Sequence, residues 1–234
     1  MLLRECSSMN KSKRAEVVIV ALVLISGLSI AAMPYLLTKY YNASPEQNVA
    51  GVPFHLTLLV TPKNWYNSSV GYQDAYFVLH RGNLYSSANL AFPANRLIVL
   101  TIINLDNATS PLNPNGNYAV VSGTLGDKIS TFNIQNVNSS LVQNGIQISG
   151  GIQSSSVPAN DISHTFTVIA GRTLGNPVIL NIPVGPLSIV QASFIFYHSA
   201  VYVWQCEAAC GSGPTGWGGS TATPGWMMGT VVVS

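Results

Sequence analysis

The chain has 234 residues, 47% of them hydrophobic and only 8% charged, with a net charge of +2 at neutral pH. An ordinary soluble domain carries about 25% charged residues, so Asn, Ser and Thr do most of the solvating here. The charge is unevenly placed. Arg4, Lys11, Lys13, Arg14 and Lys39 stand against Glu5 and Glu16 at the start, while beyond residue 41 five basic residues face six acidic ones; so neutral a main body excludes nucleic acid as a partner, because phosphate contacts need a basic patch.

Residues 1–16 are polar and basic and predict a short cytoplasmic N-terminus. Residues 17–37 carry no charge; at ~1.5 Å per residue they span the ~30 Å hydrocarbon core as one transmembrane helix. Lys11, Lys13 and Arg14 just before the span keep the N-terminus inside, and Tyr35, Tyr40 and Tyr41 fall at the far interface. Two other readings stay open. One is a cleaved signal peptide with a small-residue site at Ser29-Ile30-Ala31. The other resembles an archaeal pilin leader, with Arg14-Ala15 ahead of an apolar helix that packs in a filament. Residues 38–53 predict a linker rich in turn formers.

From residue 54 to the end the pattern predicts one all-β extracytoplasmic domain. Residues 54–60 alternate, with Phe54, Leu56, Leu58 and Val60 on one face. Residues 75–79 form a second strand and residues 96–103 a third. The third is apolar on both faces, which suits a central strand of a sandwich. Residues 105–160 are rich in Asn, Ser and Gly and predict an insertion of hairpins or glycan-bearing loops. Sequons at Asn42, Asn67, Asn107 and Asn138 follow the membrane span, where glycosylation is possible; Asn10 also begins one, on the inner side. Strands are expected again at 165–169, 178–184 and 188–196, and a last one from residue 230. No helical period survives outside the anchor, and many short strands with turn signals argue for a β-sandwich. The few carboxylates leave few groups whose protonation unfolds the domain, which suits an acidic exterior.

The most informative stretch is Ala200-Val201-Tyr202-Val203-Trp204-Gln205-Cys206-Glu207-Ala208-Ala209-Cys210-Gly211. A two-faced strand runs into a loop that carries two thiols four positions apart, and glycines and Pro214 then force a turn. Sulfur donors on a loop held by a rigid sheet suit a soft metal. In an oxidising compartment the same pair can form a disulfide; Cys6, across the membrane, cannot join it. His55 and His80 read as surface or edge residues, and His198 sits in the turn before the cysteine strand. No Ser-His-Asp grouping, phosphate loop or carboxylate pair stands out, so no independent catalysis is expected.

The run Tyr202-x-x-x-Cys206-x-x-x-Cys210-Gly211, together with Asp161-x-x-His164-Thr165-Phe166, resembles the copper-binding domain of subunit II of haem-copper oxidases, and more loosely other cupredoxins. The resemblance implies a cupredoxin-like Greek-key β-sandwich with copper as cofactor. It also implies electron transfer toward a haem-copper oxidase or another respiratory subunit in the cell membrane. Copper donors would come from His164, Cys206, Cys210 and one of Met227 or Met228. The family's second histidine falls on Pro214 and its methionine on Trp217, and Glu207 stands one residue earlier than the family's glutamate, so the complete binuclear ligand set does not carry over, and a single copper with one or both thiolates stays open. The alternative is a glycosylated surface or filament protein in which the sandwich serves self-assembly and Cys206 is bridged to Cys210 without metal.

Overall fold

The alternating run that opens the main domain becomes β1 (Phe54–Thr61), with Leu58 and Val60 buried on one face and Leu59 on the other. This is seen in a computed structural model that describes residues 51–62, 73–134, 151–171 and 176–234. The apolar segment at 17–37 and the sequons at Asn42, Asn67 and Asn138 lie outside those residues. Among the described residues, no helix is long and apolar enough to cross a membrane.

β1 pairs antiparallel with β2 (Ala75–His80), which turns back into β3 (Asn83–Ser86). On its other side β1 runs parallel to β5 (Ile98–Asn104). β5 next pairs with β10 (Ser188–Phe194), β10 with β6 (Ile129–Asn133), and β6 with β7 (Ile152–Ser154). The first sheet therefore has seven strands in the order β3-β2-β1-β5-β10-β6-β7. The second has five: β4 (Asn89–Phe92), β12 (Met228–Val233), β11 (Ala200–Gln205), β8 (His164–Ile169) and β9 (Val178–Val184), in that order.

The expected all-β sandwich is what forms. Leu58, Val60, Leu100, Ile102, Val190 and Phe194 of the first sheet belong to one buried core together with Phe166, Val168, Ile182, Trp204 and Val231 of the second. β5 lies between β1 and β10, as its two apolar faces require. Ile102 enters the core between the sheets, while Ile103 joins Leu59 and Ile189 in a smaller cluster on the opposite face, covered in part by Leu84, Leu105 and Phe132. Burying both faces in this way removes apolar area from water at ~25 cal/mol per Å².

The stretch at 105–160 contributes β6 and β7 to one edge of the first sheet. Its earlier part is bridged through the backbone from Leu112 to Ala208 in the loop after β11 and from Ser122 to Asn181 of β9. Asn107 is exposed, as a glycan acceptor must be. At the crossing of β11 and β12, Trp204 is fully buried and faces Gly229 across the ladder. Its indole N–H donates to the carbonyl of Ser87 at 2.9 Å. A Cβ at position 229 would overlap that indole nitrogen, so only glycine lets β12 pass so closely.

Candidate metal centre

β8 begins with His164, and β11 ends one residue before Cys206. Alternation along β11 sends Trp204 and then Cys206 toward the core, while Gln205 faces the other way. The start of β8 therefore meets the end of β11. The Thr165 N–H donates to the Cys206 sulfur at 3.3 Å, and the Thr165 hydroxyl accepts the Glu207 N–H at 2.7 Å. The Cys206 N–H donates to the carbonyl of Met227 at 2.7 Å. The loop then doubles back: the Cys210 N–H reaches the carbonyl of Ala208, and Gly211 is pressed so close to the carbonyl of Gly218 that a Cβ would overlap it.

The result is a cluster of three donors. Cys206 Sγ lies 4.0 Å from Nδ1 of His164 and 3.3 Å from Sγ of Cys210. The sulfurs are two thiols here, well beyond the ~2.05 Å of an S–S bond. His164 is 0% exposed, Cys206 3% and Cys210 8%. Three atoms bound to one ion at ~2.0 Å (N) and ~2.3 Å (S) lie about 3.5–3.8 Å from one another. The two distances from Cys206 stand within about half an ångström of that spacing, all three donor atoms lie within 4.8 Å of one another, and the set suits a single soft ion.

The imidazole is held by a residue that the cysteine and histidine motifs do not contain. Nε2 of His164 lies 3.0 Å from Oδ2 of the buried Asp106. The other oxygen of Asp106 accepts the Ala108 N–H at 3.0 Å, while its own N–H donates to the side chain of Asn104. With Nε2–H directed at the carboxylate, Nδ1 is the nitrogen that faces the sulfurs. A carboxylate behind a ligating histidine fixes its tautomer and orientation in this manner.

Charge in the cluster is strongly redistributed. Burial by itself would lower the pKa of His164, but the hydrogen bond it donates to Asp106 and the Cys206 sulfur outweigh it and raise it to about 9. Burial likewise works to raise Cys206, yet the Cys210 thiol and the His164 ring bring it well below an ordinary thiol. Cys210 moves well above the ordinary value, because its proton is held by Cys206 and the site is buried. The surroundings thus favour the ionised form at Cys206 and the neutral thiol at Cys210, beside a ring that favours its protonated form. Asp106 is lowered: its hydrogen bonds from His164 and Ala108 overcome the effect of burial.

Asp74, half-buried just before β2, completes a second group of donors with Asp106 and His164. Burial raises its pKa from 3.8 to about 6; His164 lowers it, and Asp106 and Cys206 raise it. The folded state therefore holds a proton on Asp74 more tightly than the unfolded state does. That contribution to stability is fully present below about pH 4 and is lost as pH rises through about 6. Asp74→Asn is accordingly expected to raise the melting temperature of the metal-free protein at pH 7–8 and to give no gain at about pH 4; thermal unfolding at the two pH values checks this, and an equal effect at both would contradict it.

The other expected site residues are placed as follows. Met227 and Met228 are both buried, and Met227 shares the core cluster with the two cysteines. His55, His80 and His198 are exposed, and among the described residues none joins a group of donors placed to hold a metal ion. Trp217 is 36% exposed on the loop after Cys210. Trp226 packs with Ala75 and Phe77. Around His164, an aromatic cluster forms the inner wall: Tyr76 meets its ring edge-on at 6.3 Å and Trp204 at 5.3 Å, and Phe166 stacks on Trp204 at 5.5 Å. The Tyr76 hydroxyl is buried and has no hydrogen-bond partner among the described residues.

No family model matches the sequence, and no curated protein matches it. Among solved structures the chain is similar to reduced rusticyanin, at 11% identity over 88% of this chain and 95% of that one, with a TM-score of 0.39. It is also similar to rusticyanin from Thiobacillus ferrooxidans, at 11% identity over 86% of this chain and 92% of that one, with a TM-score of 0.35. A multi-copper oxidase from Pediococcus acidilactici is a further match, at 7% identity over 81% of this chain but only 28% of that one, with a TM-score of 0.27. These likenesses are distant, and the two-sheet architecture stands on its own strand order.

Proposed function

We propose that the protein is a membrane-anchored, extracytoplasmic electron-transfer protein of cupredoxin type, with one copper ion held by His164, Cys206 and Cys210. The observation that carries this reading is the orientation of His164. Its Nδ1 faces the sulfur of Cys206, which lies against that of Cys210, and its Nε2 is tied to Asp106, in a pocket closed to water. Thiolate and imidazole donors together favour copper over hard cations. Copper held there would take up and give up a single electron.

The protein's own part is to keep the donors still and dry. β8 and β11 fix the two ends of the donor set, and the Thr165 N–H to the Cys206 sulfur spreads part of the thiolate charge. Low exposure of all three donors leaves no room for a substrate at the metal, so electrons would enter and leave through the protein, as suits a carrier and not an oxidase acting alone. Docking on a haem-copper subunit in the cell membrane, with the 17–37 segment as anchor, follows from the resemblance to subunit II and from the positive charges before that segment. Met227 or Met228 would serve as a weak further ligand, supported by their burial beside the cysteine loop.

The 3.3 Å separation of the sulfurs also suits oxidation to a bridge. That supports a second reading, a glycosylated surface or filament protein without metal. The two readings part on redox behaviour. The copper-loaded, full-length protein is expected to show a sulfur-to-copper absorption band that ascorbate bleaches and ferricyanide restores. A protein that stays colourless through that cycle, with Cys206 and Cys210 recovered as a disulfide, would leave the second reading.

A further inference from the structure

On the face of β11 opposite the cysteines there is a second feature, which the copper reading does not use. Gln205 and Glu207, on either side of Cys206, line a groove of about 480 Å³ between the end of the second sheet and the 113–120 loop. That volume lies within the ~300–1,000 Å³ usual for small-molecule sites. Its walls combine side-chain amides, among them the exposed Asn115 and Asn117 and the buried Asn181, with the half-buried Tyr118 and the apolar side chains of Val120, Ile169 and Val178. Among the described residues, no Lys, Arg or His lines it.

Glu207 sets the chemistry. It is 2% exposed, and among the described residues its carboxylate takes hydrogen bonds from neutral amides alone: Asn113 Nδ2 donates to Oε2 at 2.8 Å, and Gln205 Nε2 donates to Oε1. A carboxylate offers about four acceptor positions, and these amides occupy two of them. An anion would meet the Glu207 carboxyl with no cation beside it among the described residues. A purely apolar ligand would strip water from the amides without replacing their hydrogen bonds. A hard cation needs six or more oxygens and would meet one carboxylate whose oxygens already accept N–H groups. Hydroxyl groups both donate and accept, and so match the carboxylate and the amides together. The scaffold is well fixed: Asn181 donates to the carbonyls of Tyr118 and Val120 at 2.9 and 2.7 Å, and a Cβ at Gly116 would overlap the Tyr118 ring.

We infer that this groove binds an uncharged, hydroxyl-rich ligand of saccharide type, with Glu207 accepting ligand hydroxyls, Asn115, Asn117 and Gln205 pairing with others, and Tyr118 presenting its ring to the C–H face of the sugar. The inference does not rest on copper. Its test is isothermal titration of the metal-free, full-length chain, in a detergent without a sugar headgroup, using trehalose, cellobiose and sorbitol as probes and calcium chloride as the competing arm. A disaccharide should bind saturably, about tenfold more weakly after Asn117→Ala or Gln205→Ala, and calcium should not compete. Absence of saturable heat with all three probes would overturn the inference. So would sugar binding that is unchanged in the Asn117→Ala/Gln205→Ala double variant, or calcium binding that disappears in Glu207→Gln. Asn117 lies on the exposed wall, so its variant keeps the fold even where a change at buried Glu207 does not.

Discussion

Cys206→Ser is expected to leave the protein without bound copper and without its sulfur-to-copper absorption. Cys206 lies 4.0 Å from His164 and 3.3 Å from Cys210, and its surroundings favour the thiolate form. A serine hydroxyl is a hard donor that stays protonated at neutral pH and offers a soft ion little. The companion variant Cys210→Ser should behave differently. It keeps the Cys206–His164 pair, so copper should still bind, more weakly and with a shifted spectrum. That asymmetry separates the two readings of the pair. If the cysteines serve only as a disulfide, either variant removes the same bridge, the stability loss is equal, and a free thiol appears at the remaining position. Metal content, spectra and thiol counts on the two variants decide between these outcomes.

Asp106→Ala should weaken copper binding about 10–100-fold, the usual cost of losing the partner behind a ligating histidine. Without Oδ2 at 3.0 Å, the Nε2–H of a fully buried ring has no acceptor, and the ring is free to present the wrong nitrogen to the sulfurs. Leaving a buried polar group unpaired also costs about 1–3 kcal/mol. Competition against a copper chelator measures the affinity, and urea unfolding of the metal-free protein measures the stability. Asp106→Asn retains one oxygen acceptor and should recover part of the affinity. A variant that loses stability but binds copper as tightly as the parent would reduce Asp106 to a structural residue.

The positions of His164, Cys206 and Cys210 were legible because each sits in a local motif beside a strand with clear alternation. The partners that orient and tune them were not. Asp106 is 58 residues from His164 and lies at the start of a polar stretch that reads as an insertion; only the pairing of β5 and β10 and the chain leaving β5 carry it beneath the ring. Asp74 likewise has no spacing to announce it. Among strands, β1, β2, β5 and β8 to β12 showed in the apolar pattern. β3 and β4 did not, since Asn83, Ser86 and Asn89 make those short segments resemble a turn. β6 and β7 are held by edge pairing to β10 more than by their own burial, for β7 has Ile152 largely exposed. Short edge strands depend on neighbours that local sequence does not record.

The central claim is that one buried copper joins the imidazole from β8 to the sulfurs that follow β11. The most direct measurement is metal analysis with copper X-ray absorption on the full-length protein purified with its natural redox state preserved. The account predicts one copper per chain, with sulfur and imidazole nitrogen scatterers in the first shell, and loss of the nitrogen signal in His164→Ala. A copper-free protein with Cys206 and Cys210 bridged, or a copper whose shell is unchanged in His164→Ala, would contradict it.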